Sequence, residues 1–237
     1  MASVLVLTCE HASNRIPKRW SAAFHGKERL LATHRGYDLG ARDVSAGLAR
    51  LLDAPLLSGT ASRLLVDLNR SPGHPRLFSE ITRALPDAER ALILRRVYLP
   101  HRAAVEQAIA LLQARGVTVV HVAIHSFTPV LNGMRRTADV GLLFDPGRAR
   151  ESAFCRRWKS AIEAEDTALR VRLNYPYRGT SDGLSTALRR TRDGASYLGI
   201  EIELCNAWIG TPRGAAEAVK TLGATLPRVL EHMAHGH

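Results

Sequence analysis

Short apolar runs alternate along the chain with longer stretches of helical periodicity. Residues 3–9 (SVLVLTC) are apolar and β-branched, the pattern of a buried strand. A polar turn follows from Glu10 to Pro17. Residues 39–53 carry apolar groups at helical spacing and predict a helix, and Leu64-Leu65-Val66-Asp67 predicts a short strand. The stretch from Asp87 to Arg115 predicts a long helix broken at Pro100 and stopped by Gly116. Residues 117–124 (VTVVHVAI) form the clearest central strand, and Val140 to Phe144 another. A helix from Arg148 to Ala168, an extended piece over 171–173 and a loop over 174–183 (NYPYRGTSDG) come next. Residues 197–204 (YLGIEIEL) alternate as a strand, and 213–233 read as a helix. Strands alternating with helices, with no linker, repeat or low-complexity block, predict one α/β domain over residues 1–237. Its sheet is expected to be mixed, mostly parallel, and flanked by helices.

Length and composition agree with that picture. A chain of 237 residues, 46% hydrophobic, is long enough to bury a substantial core. No apolar run approaches the roughly 18–20 residues of a membrane span. The N-terminal segment reaches Glu10 and His11 too early for a secretory signal, so a cytoplasmic protein is expected. The net charge of +11 favours anionic partners. Its carriers are nearly all arginines scattered along the chain, without a basic tail, zinc-finger spacing or RNA-recognition motif, so no specific nucleic-acid binding is expected. Three cysteines at wide spacing (Cys9, Cys155, Cys205) suggest neither a disulfide framework nor a redox pair. Cys9 and Cys205 end apolar runs, and burial is expected for both.

Candidate chemistry gathers at strand ends, where open α/β sheets bind ligands. The first strand ends Cys9-Glu10-His11, the central one Ile124-His125-Ser126, and the late one holds Glu201 and Glu203. Alternation puts Glu201 and Glu203 on one face. A carboxylate within an apolar strand is costly to bury without a partner. Two imidazoles and a carboxylate converging on one sheet edge suit a zinc hydrolase, with a further carboxylate to take a proton. Local signatures of other chemistries are absent: there is no HExxH, no GxGxxG after a strand, no P-loop and no GxSxG elbow. Ser126 neighbours His125 on an extended chain, so the two point to opposite faces.

A set of blocks in conserved order resembles the N-formylglutamate amidohydrolase family. They are Cys9-Glu10-His11-Ala12-Ser13-Asn14-Arg15-Ile16-Pro17, His34-Arg35-Gly36-Tyr37-Asp38-Leu39-Gly40-Ala41, and Ser62-Arg63-Leu64-Leu65-Val66-Asp67-Leu68-Asn69-Arg70. Tyr98-Leu99-Pro100-His101, His125-Ser126-Phe127-Thr128-Pro129 with Asn132-Gly133, and Asp139-Val140-Gly141 follow. Asn174-Tyr175-Pro176-Tyr177 with Gly179 and Gly183, and Glu201-Ile202-Glu203-Leu204, complete the set. The resemblance implies a zinc-carboxypeptidase-like fold and hydrolysis of an N-acyl, formyl-like amide of an acidic amino acid or similar carboxylate substrate. It implies one zinc ion per chain held by His11, Asp38 and His125, with Glu10 as the alternative to Asp38. Glu203 is then the general base, and His101 stabilises or protonates. Arg63, Asn69 and Arg70 resemble a carboxylate-binding set, with Arg135 as a further candidate; a guanidinium fork suits a carboxylate.

Structural alternatives stand beside these roles. Asp38 has the place of a cap for the helix at 39–53, and Arg63 and Arg70 have Asp67 within reach as an ion-pair partner. Two other functions are carried: a peptide or peptidoglycan-fragment amidase of the same fold, and a non-enzymatic protein binding anions or nucleic acid. Oligomeric state is not expressed in the sequence.

Overall fold

A computed structural model describes residues 3–235, with the side chains of the last helix described up to Met233. Six strands form one sheet in the order β2-β1-β3-β8-β6-β7. These are β1 (Ser3–Cys9), β2 (Leu56–Ser58), β3 (Thr118–Phe127), β6 (Val140–Leu143), β7 (Val171–Leu173) and β8 (Tyr197–Cys205). Strands β2, β1, β3 and β8 run parallel, while β6 pairs antiparallel with β8 and parallel with β7. A two-stranded hairpin, β4 (Val130–Leu131) and β5 (Met134–Arg135), projects between β3 and β6. The single mixed, mostly parallel α/β domain is therefore as the apolar pattern predicts.

The two faces of the sheet differ. Leu5, Leu7, Val120, Val122, Ile124, Leu198, Ile200, Ile202 and Leu204 all join one apolar core. That face is covered by α2 (Ala41–Leu51), α6 (Ala149–Glu165) and α9 (Pro212–His235). Trp158 of α6 sits wholly inside this core and donates its indole N–H to Thr225 of α9 at 3.1 Å. The opposite face carries α5 (Leu99–Gln113) and α7 (Leu184–Arg189), packed on Val6, Val119 and Tyr197. On this second face the alternating positions are polar: Thr8, then His121 and His125, then Glu201 and Glu203. His121 is bridged by Thr8 Oγ1 and the Tyr197 hydroxyl at 2.8 Å each. Burial lowers its pKa to about 4, so it is a neutral packing residue.

Shorter elements complete the chain: α1 (Glu28–Leu31), α3 (Glu80–Arg83), α4 (Asp87–Ile93) and α8 (Asn206–Ile209). The break expected at Pro100 takes the form of a π-helical turn, Leu94–Tyr98, joining α4 to α5. Pro100 brings no amide N–H to the preceding turn, and the wide turn just before it absorbs the mismatch. The strand expected over residues 64–67 is absent. Ser62 accepts from the amides of Leu64 and Leu65, making a turn instead. The apolar side chains Leu64, Leu65 and Val66 enter a separate small core with Trp20, Phe24, Ile93 and Tyr98. The β-strand in that part of the chain is β2, eight residues earlier in start, a half-buried sheet edge. Cys9, Cys155 and Cys205 are all buried and unpaired. Among the described residues, no helix is long and apolar enough to cross a membrane.

Candidate active site

The polar positions of the second face end in a buried network at the carboxyl ends of β1, β3 and β8. His11 lies two residues beyond the end of β1, and His125 lies near the end of the adjacent β3. Their ring centroids are 5.1 Å apart. Both rings present Nδ1 to one oxygen, Oδ2 of Asp38, at 3.2 Å from His11 and 2.9 Å from His125. The backbone amide of Ser126 also donates to this oxygen, at 3.3 Å. Asp38 is held there by its own amide, which donates to the His11 carbonyl at 3.0 Å. It does not cap α2. The residue at the helix start is Gly40, at φ +79, where an added Cβ would lie 2.2 Å from the Ile209 carbonyl oxygen. Only glycine fits that turn, and the turn leaves the Asp38 carboxylate free to face the histidines.

The far nitrogens of both rings are also engaged. His11 Nε2–H donates to Asp67 Oδ1 at 2.7 Å. Asp67 accepts in addition from the Asn69 amide at 3.0 Å and from the Arg63 guanidinium at 2.9 Å. Nε2 of His125 lies 3.0 Å from Glu10 Oε2 and 3.3 Å from Asn69 Nδ2. The Glu10 contact is close but poorly aligned, and both Glu10 oxygens lack a hydrogen bond. Carboxylates placed behind imidazoles in this way fix ring orientation at metal sites and raise ligand basicity.

The electrostatics follow from burial set against these pairings. Burial works against ionisation of Asp38, but His11, His125 and Arg63 outweigh it and hold the carboxyl well below its usual range. Asp67 is held low in the same way, by Arg63 and His11 against burial. Burial and Arg63 favour neutral His11, yet Asp67 and Asp38 raise its pKa. For His125, burial is again opposed, here by Asp38 and Glu10, and the pKa rises well above the ordinary value. Glu203 goes the other way. Burial, helped by Asp38 and Glu201 and opposed by His125, pushes its pKa up to about 8.

Glu203 is the β8 partner of His125 in the parallel pair, and its Oε2 has no hydrogen-bond partner. Unpaired buried polar atoms are concentrated around this point: both Glu10 oxygens, His101 Nε2, Ser126 Oγ and Glu203 Oε2. Orphaned buried groups are rare in folded proteins and call for an explanation such as an ion or catalytic use. His11, Asp38 and His125 each offer a donor atom within 4.8 Å of the others, all three residues buried. The set fits a divalent metal: two imidazole nitrogens and a carboxylate oxygen are ordinary zinc donors.

The other expected residues are placed as follows. His101 lies on α5, with Nε2 3.9 Å from Glu10 Oε1. Arg63, partly exposed, spans Asp38 (3.3 Å) and Asp67 (2.9 Å). Asn69 has its Oδ1 committed to the Leu184 amide at 2.6 Å. Arg70 donates to the Asp182 carbonyl at 2.6 Å, and its own carbonyl accepts from the Tyr98 hydroxyl at 2.7 Å. Arg135 is exposed on β5, outside this network. Next to it Arg136 stacks 5.0 Å from the Tyr177 ring centre and 5.7 Å from that of Phe127. Asp67 was visible in the sequence only as a partner for arginines; its bond to His11 crosses 56 residues of chain and has no local signal.

The sheet brings two imidazoles and spare carboxylates together at its strand ends. The chain matches the N-formylglutamate amidohydrolase family over residues 3–207 and belongs to it, which makes it a hydrolase of linear amide C–N bonds. A solved gene product of Agrobacterium tumefaciens, Atu2144, is 30% identical with a TM-score of 0.84, over 98% of this chain and 92% of that one. The crystal structure of N-formylglutamate amidohydrolase from Ralstonia eutropha JMP134 is 20% identical with a TM-score of 0.70, over 100% of this chain and 96% of that one. A comparison with curated proteins finds no match.

Proposed function

We propose that the protein is a zinc-dependent amidohydrolase that cleaves the N-acyl, formyl-like amide of an acidic amino acid. The observation that supports this best is the convergence of both Nδ1 atoms on Asp38, with Asp67 and Glu10 behind the rings. His11, Asp38 and His125 would hold the ion. The same geometry favours Asp38 over Glu10 as the third ligand, because Glu10 stands on the Nε2 side of His125. A bound zinc ion supplies Lewis acidity to the acyl oxygen and to water.

Glu203 is the general base. Its pKa near neutrality and its unpaired Oε2 suit it to take a proton from the attacking water and return it to the departing amine nitrogen. Water adds to the acyl carbon, the C–N bond breaks, and the products are a carboxylic acid and a free amino acid. His101, whose Nε2 lies 3.9 Å from Glu10 Oε1, is given the role of hydrogen-bond donor to the developing oxyanion or leaving group from the family resemblance. Arg63 and Arg70 would hold the substrate carboxylate, with Asn69 orienting it and Arg135, on the exposed hairpin, as a further candidate. The positive net charge aids capture of such a substrate.

The test is a panel of N-formyl-, N-acetyl- and N-succinyl-amino acids against the zinc-loaded protein and Glu203→Gln. Hydrolysis of an acidic member, lost by about 10²–10⁴-fold in the variant with zinc retained, is expected. Full activity in Glu203→Gln would remove its role, and an inactive wild-type enzyme across the panel would remove the substrate class.

A further inference from the structure

A groove of about 450 Å³ opens beside the network just described, sharing Arg63, Asp67 and Arg70 with it. Arg35, Arg76 and Arg83 also line it. Five arginines thus face two carboxylates, those of Asp67 and Glu80. Asp67 is already taken by His11 and Arg63, and Glu80 pairs with Arg35 at an exposed edge. Among the described residues Arg76 and Arg83 have no ion pair within 4 Å, and the Glu80 carboxyl is held below its ordinary pKa by a backbone hydrogen bond and by Arg35, helped by the Arg83 charge. Leu64, Pro75 and Phe78 add apolar contacts to a lining that is otherwise mostly polar. The volume falls in the roughly 300–1,000 Å³ range of small-molecule sites.

We propose that this groove extends the active site and binds the continuation of an acidic, peptide-like substrate. An N-acylated acidic dipeptide or longer oligoanion would then place its first carboxylate at Arg63 and Arg70 and a distal one at Arg76 and Arg83. The inference rests on the amidohydrolase reading and deepens it: the amine-side product extends from a single acidic amino acid to an acidic peptide. The reaction is unchanged, with water consumed and one acyl C–N bond broken.

Two measurements test it on the full chain. The first is calorimetric binding of unacylated triglutamate, triglutamine and inorganic phosphate to the wild type and to Arg76→Ala/Arg83→Ala. Triglutamate is expected to bind at least about tenfold more tightly than triglutamine, an advantage the double variant loses, since charge-assisted hydrogen bonds carry that order of energy. Arg76→Lys/Arg83→Lys, which keeps the charge, should retain part of it. The second is the ratio of kcat/KM for N-formyl-Glu-Glu over N-formyl-Glu, expected to exceed about 10 in the wild type and to fall toward unity in the alanine variant. Equal binding of triglutamate and triglutamine, or unchanged triglutamate binding in the variant, overturns the groove assignment and leaves the hydrolase reading standing. Phosphate binding as tight as triglutamate reduces the groove to a general anion patch and also overturns it. If no N-acyl substrate is hydrolysed while triglutamate binds as expected, the hydrolase reading fails, and the substrate assignment with it.

Discussion

Glu203 stands directly opposite Gly141 in the antiparallel pair of β8 and β6. A Cβ on Gly141 would lie 1.8 Å from the Tyr175 carbonyl oxygen and 3.4 Å from the Glu203 Cβ. The bare glycine lets the 174–183 loop close over the strand next to the candidate base. Gly141→Ala must push that loop away, and overpacking of this kind costs about 1–3 kcal/mol or more. Thermal denaturation should show the loss, and kcat should fall with it. A variant as stable and active as wild type would mean that the loop has room to spare.

The raised pKa of Glu203 makes the metal-free protein pH-sensitive. Its folded value is about 8 against an ordinary 4.5, so between these the folded state binds more protons than the unfolded one. Stability is therefore full below about pH 4.5 as far as this group is concerned, and falls as pH rises toward 8. His11 and His125, raised as well, contribute in the same direction: their stabilisation is present below their ordinary values and lost as pH rises through the folded ones. Urea unfolding of the apo protein at pH 5.5 and 8 should show the decline, and Glu203→Gln should be measurably flatter. Identical slopes in the two proteins would contradict the buried, proton-holding carboxyl.

Metal uptake should release protons. In the network each Nδ1 donates to Asp38, and a dication on those nitrogens replaces the protons. Calorimetry of zinc binding near pH 6.5 in buffers of different ionisation enthalpy should give a release of roughly one to two protons per ion. Affinity should rise with pH over the same range. An enthalpy independent of buffer would place the ion elsewhere.

Asp67 and Glu10 sit behind the rings, and their loss should be felt through the metal. Asp67→Asn and Glu10→Gln are each expected to weaken zinc binding about 10–100-fold without changing the number of ions bound. Asp38→Asn should weaken it further, because a ligand is lost instead of a support. Equal effects of Asp38→Asn and Glu10→Gln would reopen the choice between the two carboxylates.

The buried sheet was legible where strands are long, buried and rich in apolar residues, as in β1, β3 and β8. Two places defeated the pattern for identifiable reasons. Leu64 to Val66 are apolar because they fill the small core under the π turn, not because they join the sheet. Leu56–Ser58 is a half-buried edge of three residues, too short to show a period. In the candidate site, His11, His125 and Glu203 stand at strand ends or within a strand, where an unusual polar residue is conspicuous. Asp38 and Asp67 come from turns far away in sequence, and only the fold shows that one carboxylate faces both imidazoles while the other backs one of them. Arg63 shows a similar limit: its type suggests a substrate clamp, whereas the structure adds two carboxylates already bound to it.

The proposed chemistry needs a divalent ion at His11, Asp38 and His125, and metal content measures that most directly. Wild type and His11→Ala/His125→Ala should be equilibrated with zinc, gel-filtered and assayed by atomic emission, with circular dichroism confirming that both are folded. One zinc per wild-type chain and essentially none in the folded double variant is the expected result; equal zinc in both, or none in wild type, would contradict it.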